Sequence, residues 1–498
     1  MSREKKQYRQ AFKATSLFGG VQFVQIVISA IKSKVIALFL GPSGMGIYNL
    51  LRNTVEVTGK LSSFGLSASS VKFISEEFTS GDEQKAYRII QVLQNLLWIS
   101  GSIGALILAF SAPFISQLLF DSNAYTYSII WLSLAVLFHQ LADGRVSILQ
   151  SLRKLQYLAK ANLLGSIWGL VVSAPIFYFL REEGIVPAIL IAAITNLLLS
   201  NYFLRKSKIP KEKITKKETF QEGVGMLKLG LALSFSSLIS ALTAYLLQLY
   251  INDLGGVAQV GLYSTGFLIL DRYGGLIFSA MAKDFYPRLA GISKFRSRVR
   301  HTVQHQAFIA LLLMTPFVVL FLALAPQFIQ LLLSSEFIGI KTMVSWGMLG
   351  LLLKATSWSM AYIIIAKGET KLYIQTNVSF RILELTVNIL GYYFGGLVGL
   401  GISFLVYNFI YLIGIYIITY KKYLFYFSKE FYLIFLVCLS FSILAFGLTY
   451  IESAVLKYSL LAIVFLITSW FCYHQLNNKL EFKSFVQDFM DKRKSNKE

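Results

Sequence analysis

Gly41-Pro-Ser-Gly-Met-Gly46-Ile-Tyr48 lies between two apolar runs, and its pattern returns 215 residues later as Gly256-Val-Ala-Gln-Val-Gly261-Leu-Tyr263. Two further echoes keep nearly the same spacing. Ala112-Pro113 with Gln117-Leu118-Leu119 returns as Ala325-Pro326 with Gln330-Leu331-Leu332, and Gly184-Ile-Val with Asn196 returns as Gly396-Leu-Val with Asn408. Three matches in one order divide the chain into two related halves.

The apolar runs around these anchors predict helices at 15–40, 45–68, 87–110, 124–148, 157–180, 185–204, 226–250, 258–282, 303–325, 342–365, 372–394, 397–419, 431–450 and 456–476. Each approaches the roughly 20 residues that a membrane span requires. Composition agrees: the 498 residues are 55% hydrophobic, 15% aromatic and only 14% charged, against about a quarter charged in ordinary soluble domains. The fold class is therefore an all-α membrane protein with about 14 transmembrane helices. Six belong to each pseudo-symmetric bundle and two stand outside the repeat. Six being even, both halves begin on the same side, as parallel repeats with a substrate site expected at their interface. The predicted divisions are an N-terminal six-helix bundle over 1–204, a basic linker over 205–225, a second six-helix bundle over 226–420, and two extra helices with a basic tail over 421–498.

A net charge of +22 in a soluble chain would point to nucleic acid; its distribution here excludes that reading. With the N-terminus inside, the outer connections hold only Arg181, Lys341 and Lys457, seven bases lie within spans, and 37 of the 47 Lys and Arg fall on the inner side. Such asymmetry places both termini in the cytoplasm. The linker carries Lys206, Lys208, Lys211, Lys213, Lys216 and Lys217, which suits anionic lipid headgroups. Cys438 and Cys472 both fall in spans, so neither a disulfide framework nor a zinc site is expected. The basic stretch Met1–Lys13 precedes an apolar run too long for a signal-peptide core, which reads as a retained helix.

The seven intramembrane bases are Lys32, Lys34, Arg52, Lys60, Arg272, Lys354 and Arg381, against three acids, Glu56, Asp271 and Glu384. Each charge at mid-bilayer costs about 2.5–3.5 kcal/mol even on the mild insertion scale. A surplus of bases that survives this cost implies a hydrated cavity and an anionic occupant. Arg52, Glu56 and Lys60 stand at i, i+4 and i+8, one stripe of a helix. Gln22, Gln25, Ser29 and Lys32 form a second stripe, Tyr245, Gln248 and Asn252 a third, and Asn377, Arg381, Glu384 and Asn388 a fourth. Gln25, Asn53, Tyr245, Gln248, Asn377 and Asn388 are thus candidate polar lining. Lys34 points about 160° away from Lys32, at roughly 100° per residue. The acids are candidates for coupling to a proton or sodium gradient. The competing reading is simple pairing, Glu56–Arg52, Asp271–Arg272 and Glu384–Arg381, with no role beyond joining helices. His139 and Asp143, four apart, read more readily as an interfacial hydrogen-bonded pair than as a proton relay. No nucleophile–base grouping, phosphate loop or metal cluster stands out, so no catalytic residue, metal or other cofactor is assigned and an enzyme is not expected.

The run Lys34-Val-Ile-Ala-Leu-Phe-Leu-Gly41 through Tyr48 resembles the first-helix signature of Wzx-type O-antigen and polysaccharide flippases of the MOP superfamily, which have the MATE transporter fold. Phe64-Gly65 to Lys72-Phe73, Asp271 with Tyr286-Pro287-Arg288-Leu289, and Ala366-Lys367-Gly368 to Tyr373 look similar. The resemblance covers about the first 420 residues. It implies a MATE-like flippase of the inner membrane that moves an undecaprenyl-pyrophosphate-linked oligosaccharide for O-antigen, lipopolysaccharide or a related surface polysaccharide. It also implies a polysaccharide polymerase and a chain-length regulator as partners, and Lys34, Arg52 and Asp271 as the charged residues carried over by position. The final helix pair departs from twelve-helix members and resembles peptidoglycan-precursor flippases, where such a pair contacts the lipid tail; Tyr423–Tyr432 would suit that contact. A MATE-like exporter of small molecules and a membrane-bound glycan polymerase are the alternatives. The first favours excess acids, and the second needs a long outer loop or a carboxylate cluster. Reporter fusions within 205–225 and at the C-terminus should both score as cytoplasmic; an external signal from either one would overturn the fourteen-helix topology.

Overall fold

Residues 3–210, 212 and 214–480 are described by the structure, a computed structural model; Lys211 and Lys213, and the side chains of 3–23, Arg272 and some other positions, lie outside the described residues. No strand occurs among them. The helices are α1 (Arg3–Ser63), α2 (Leu66–Ser80), α3 (Glu83–Phe110), α4 (Ala112–Phe120), α5 (Thr126–Ser151), α6 (Leu155–Leu180), α7 (Ile185–Lys206) and α8 (Lys216–Leu268). They continue as α9 (Gly274–Gly291), α10 (Arg296–Ala323), α11 (Ala325–Leu332), α12 (Lys341–Ala366), α13 (Thr370–Tyr423), α14 (Lys429–Leu448) and α15 (Ala454–Leu480).

Three of these are far too long for one crossing. α1, α8 and α13 have 61, 53 and 54 residues, or roughly 80–90 Å at 1.5 Å per residue, against a hydrocarbon core of about 30 Å. Each breaks at one glycine with positive φ: Gly41 at 63°, Gly256 at 76° and Gly396 at 54°. A Cβ would make that backbone costly, so glycine is the residue that allows it. The chain turns back at two of these breaks, as contacts across them show. Lys32 Nζ lies 5.5 Å from the Tyr48 ring centroid, and Ser403 Oγ donates to the Val387 carbonyl at 2.9 Å. Partners sixteen residues apart in a straight helix would be about 24 Å apart. α6 and α7 are joined by a one-turn 3-10 segment, Arg181–Gly184, where Arg181 takes φ 50°. The sequence echoes thus acquire a meaning: Gly41 and Gly256, then Gly184 and Gly396, stand at chain reversals or breaks. Ala112-Pro113 and Ala325-Pro326 likewise open two matching short helices, α4 and α11.

Among the described residues ten segments are long and apolar enough to cross a membrane. Val24–Ser63, Leu155–Lys206, Lys217–Asp271 and Thr370–Tyr423 run to 40, 52, 55 and 54 residues, and each holds two spans. This gives the fourteen crossings of a multi-pass membrane protein. The expected second helix, 45–68, stops early, at Ser63. Phe64 and Gly65 have φ of 48° and 66°, and Gly65 lies so close to the Gly230 backbone of α8 that no Cβ fits; α2 then starts a new direction. The expected helix at 258–282 is interrupted by a π turn, Ile269–Tyr273, and resumes as α9.

The chain forms two compact units, one running through Leu262 and including Leu331–Phe337, the other taking Tyr263–Gln330 and the chain from Ile338. In the first, Leu66, Leu93, Leu97, Leu141, Ile148 and Phe203 form a dry core among α2, α3, α5 and α7. Arg88 of α3 donates to Glu218 and Glu222, both at 2.9 Å, anchoring the start of α8. In the second unit α10 and α12 are central, packed against each other and against α13, α14 and α15. Edge-to-face Phe308–Phe431, at 5.0 Å, and the tilted Trp346–Phe446 pair, at 4.6 Å, seat the last helix pair on them.

The two glycine motifs also touch within the first unit. Gly46 presses on the Val257 carbonyl and Gly261 on the Pro42 carbonyl, with no room for a Cβ at either site. Val257 is the repeat counterpart of Pro42, and Gly261 of Gly46, so the contact is reciprocal. Gly261→Val should therefore lower the melting temperature of the detergent-solubilised protein by several degrees, since overpacking costs about 1–3 kcal/mol. Gly59→Ala, where an added Cβ meets nothing within 4 Å, should leave it unchanged. Equal melting for both variants would mean that the glycine contact bears no strain.

Candidate functional site

The stripe on α1 forms as its spacing requires. Glu56 and Lys60 close an ion pair at 2.8 Å, with side chains 43% and 34% accessible. Arg52, one turn earlier, is exposed and makes neither hydrogen bond nor ion pair among the described residues. Lys32, on the other leg of α1, hangs over the Tyr48 ring, a cation–π contact that stabilises the ammonium without neutralising it. Lys34 and Gln25 are half-buried on the same leg, and the side chain of Gln22 lies outside the described residues. Nothing in this set cancels Arg52 and Lys32.

α5 brings two more titratable groups to the stripe. Arg52, Lys32 and Glu56 all act electrostatically on His139, and Glu56 acts on Asp143. No hydrogen bond joins His139 to Asp143 in the structure. The interfacial pair expected from their spacing is thus corrected: both face the α1 charges, and Asp143 is exposed. Their spacing of four was visible in the sequence, but what they face depends on how α5 packs on α1.

Asn53 and Gln248 hydrogen-bond each other at 2.6 Å, and Thr54 and Tyr245 do so at 2.7 Å. Gln248 is only 6% exposed. These groups clamp α1 to the first leg of α8, so two of the expected lining residues spend their polarity on each other.

In the second unit the described candidate charges Asp271, Lys354, Arg381 and Glu384 are paired. Lys354 of α12 donates to Asp271 Oδ1 at 3.0 Å, and the accessible fractions are 29% and 51%. The Phe404 ring centroid lies 6.0 Å from the same ammonium. Asp271 sits in the π turn, where the extra residue swings its side chain off the regular helical stripe. On α13, Arg381 donates to Glu384 at 2.5 Å, and Glu384 is buried at 9% exposure. Tyr407 and Tyr411, from the returning leg, stand within electrostatic reach of that pair; the sequence reading missed both. Asn377 and Asn388 are half-buried on α13. The Arg272 side chain lies outside the described residues.

The pairing differs from the one weighed in the sequence. Arg381–Glu384 forms; Glu56 takes Lys60 rather than Arg52, and Lys354 reaches Asp271 from a helix distant in sequence. Intrahelical spacing could not reveal the last partner. Every candidate acid therefore holds a base, while Arg52 holds none among the described residues. A lone guanidinium in a span needs water or an anion.

A profile of the family described as "Polysaccharide biosynthesis protein" matches residues 35–342. The chain belongs to that family. This member of it is 22% identical over 374 residues to the lipid III flippase of Escherichia coli (strain K12), covering 74% of this chain and 88% of that protein. The lipid III flippase of Shigella flexneri matches with the same figures. Among solved structures, the lipid II flippase MurJ in its inward closed conformation superposes with TM-score 0.72 at 14% identity, over 93% of this chain and 99% of that one. An inward-facing multidrug resistance MATE transporter of the MOP superfamily gives TM-score 0.67 at 16% identity, over 80% and 94%. The fold is therefore MATE-like.

Asp271→Asn should strand Lys354 and lower the melting temperature. The double variant with Lys354→Met should recover part of that loss, and the coupling should be about 1 kcal/mol for a partly exposed pair. Strictly additive losses would show that the pair contributes no interaction energy.

Proposed function

We propose that the protein is a flippase that moves an undecaprenyl-pyrophosphate-linked oligosaccharide, the unit of O-antigen or a related surface glycan, across the cytoplasmic membrane by alternating access. The observation that carries this reading is Arg52: a guanidinium within a span, exposed and without hydrogen bond or ion pair among the described residues. Its neighbour Lys32 rests on the Tyr48 ring face. Membership of a polysaccharide biosynthesis family and likeness to a relative named lipid III flippase support it.

Pyrophosphate needs cationic hydrogen-bond donors in a site of low dielectric, and the planar guanidinium fork meets two phosphate oxygens at once. The polyprenyl tail stays in lipid while the sugars and pyrophosphate pass through hydrated space. Lys60, Lys354 and Arg381 form a reserve of donors, each released when its carboxylate is protonated. Glu56, Asp271 and Glu384 in this way couple binding to a proton gradient, and sodium binding at the same carboxylates would do the same. His139 and Asp143 join them as relay groups beside Arg52. Both termini lie in the cytoplasm, and the flipped glycan is handed to a polymerase and its chain-length regulator. An exporter of cationic drugs fits this charge balance poorly, since every candidate acid is already engaged.

Reconstituted in vesicles with a defined undecaprenyl-pyrophosphate-linked glycan, the wild type should flip it. Arg52→Ala should slow flipping about tenfold or more, as losing a charge-assisted hydrogen bond of about 1.5–3 kcal/mol requires. Arg52→Lys should retain part of the rate. Flipping at the wild-type rate by a correctly inserted Arg52→Ala protein would remove the pyrophosphate role.

A further inference from the structure

The second unit contains a cavity whose lining includes none of Asp271, Lys354, Arg381 and Glu384. The first turn of α10, the ends of α12 and α13, and the connector at 424–425 enclose about 170 Å³. Arg296, Arg300, Lys367 and Lys422 line it, together with Tyr423 and Phe425. Lys422 is ion-paired with Glu369. That hydrogen bond holds the Glu369 carboxyl below the ordinary carboxylate range, so the pair stays ionised at neutral pH.

The other three cations have no such partner. Arg300 donates Nε to the Tyr426 carbonyl at 3.0 Å, and its guanidinium lies 3.3 Å from the Tyr426 ring centroid. Arg296 reaches the Leu424 carbonyl at 3.5 Å, and the Lys367 ammonium lies 5.9 Å from the Tyr423 ring centroid. These contacts orient the bases, and none of the three makes an ion pair among the described residues, although Glu369 acts on Lys367 at longer range. The buried Tyr423 hydroxyl faces the same Glu369 carboxylate. Four bases against one carboxylate around one cavity form a receptor for an oxyanion.

We propose that this cavity binds a phosphate group, that of an anionic membrane phospholipid, and that the bound headgroup ties the ends of α10, α12 and α13 to the connector leading into α14. The choice of a lipid over free phosphate rests on the rim. Leu424, in the cavity wall, and Tyr426, against Arg300, are 46% and 43% exposed, an apolar margin on which acyl chains can lie. At the lysine-rich end of the bundle, where anionic headgroups gather, both halves of such a molecule are satisfied. The site is independent of the flipping reading, because none of its residues belongs to the Arg52 or Asp271 clusters.

Melting of the purified full-length protein in detergent, with added phosphatidylglycerol, phosphatidylcholine or inorganic phosphate, tests this. Phosphatidylglycerol should raise the melting temperature by several degrees and phosphatidylcholine should not. The double variant Arg296→Gln/Arg300→Gln should lose at least half of that rise, and Arg296→Lys/Arg300→Lys should keep most of it. Lys367→Gln, a milder change, should also blunt the response and serves if the double variant fails to fold. Inorganic phosphate matching the lipid in the wild type, with the same loss in the variants, would keep the phosphate site but overturn the lipid as its source. A wild-type response to phosphatidylglycerol in the glutamine variants would overturn the site itself.

Discussion

An ionised group in a membrane must be solvated by something, and the interior of this protein is organised by how that demand is met. Glu56, Asp271 and Glu384 meet it with Lys60, Lys354 and Arg381. Removing one partner from such a pair costs more than the pair is worth, because the survivor is left uncompensated. The pairs therefore form a store of mutually satisfied charge more than a source of stability. Arg52, exposed on the α1 stripe, stands outside this store.

The sequence revealed the fold wherever a local rule sufficed. Helical runs follow from composition, crossings from length, and the breaks from glycines at positions where the backbone needs φ that other residues resist. Gly41, Gly256 and Gly396 were legible for that reason, first as an echo and then as breaks. The Phe64-Gly65 break was not, because it depends on how closely α8 approaches. The candidate site divides in the same way. The stripe Arg52–Glu56–Lys60 and the pair Arg381–Glu384 lie on single helices and could be read from spacing. Lys354–Asp271 joins residues 83 positions apart, and the π turn that places Asp271 has no sequence signature. His139 and Asp143 were visible as residues, yet their neighbours come from α1.

The polar residues of α1 and α8 show a second limit. A stripe of Asn, Gln, Ser and Tyr looks the same in sequence whether it faces water or another polar stripe. Asn53–Gln248 and Thr54–Tyr245 resolve it in favour of mutual satisfaction. These hydrogen bonds couple the first leg of α8 to α1. Polar side chains can satisfy one another in this way, and like charges cannot.

The reciprocal seat of Gly46 on Val257 and of Gly261 on Pro42 ties the two motifs to one another. A surface that mates with its own duplicate has the geometry of an isologous interface, in which one patch serves both partners. Neither ledge can change alone: a bulkier residue on one copy has to be answered by a retreat of the backbone it presses on.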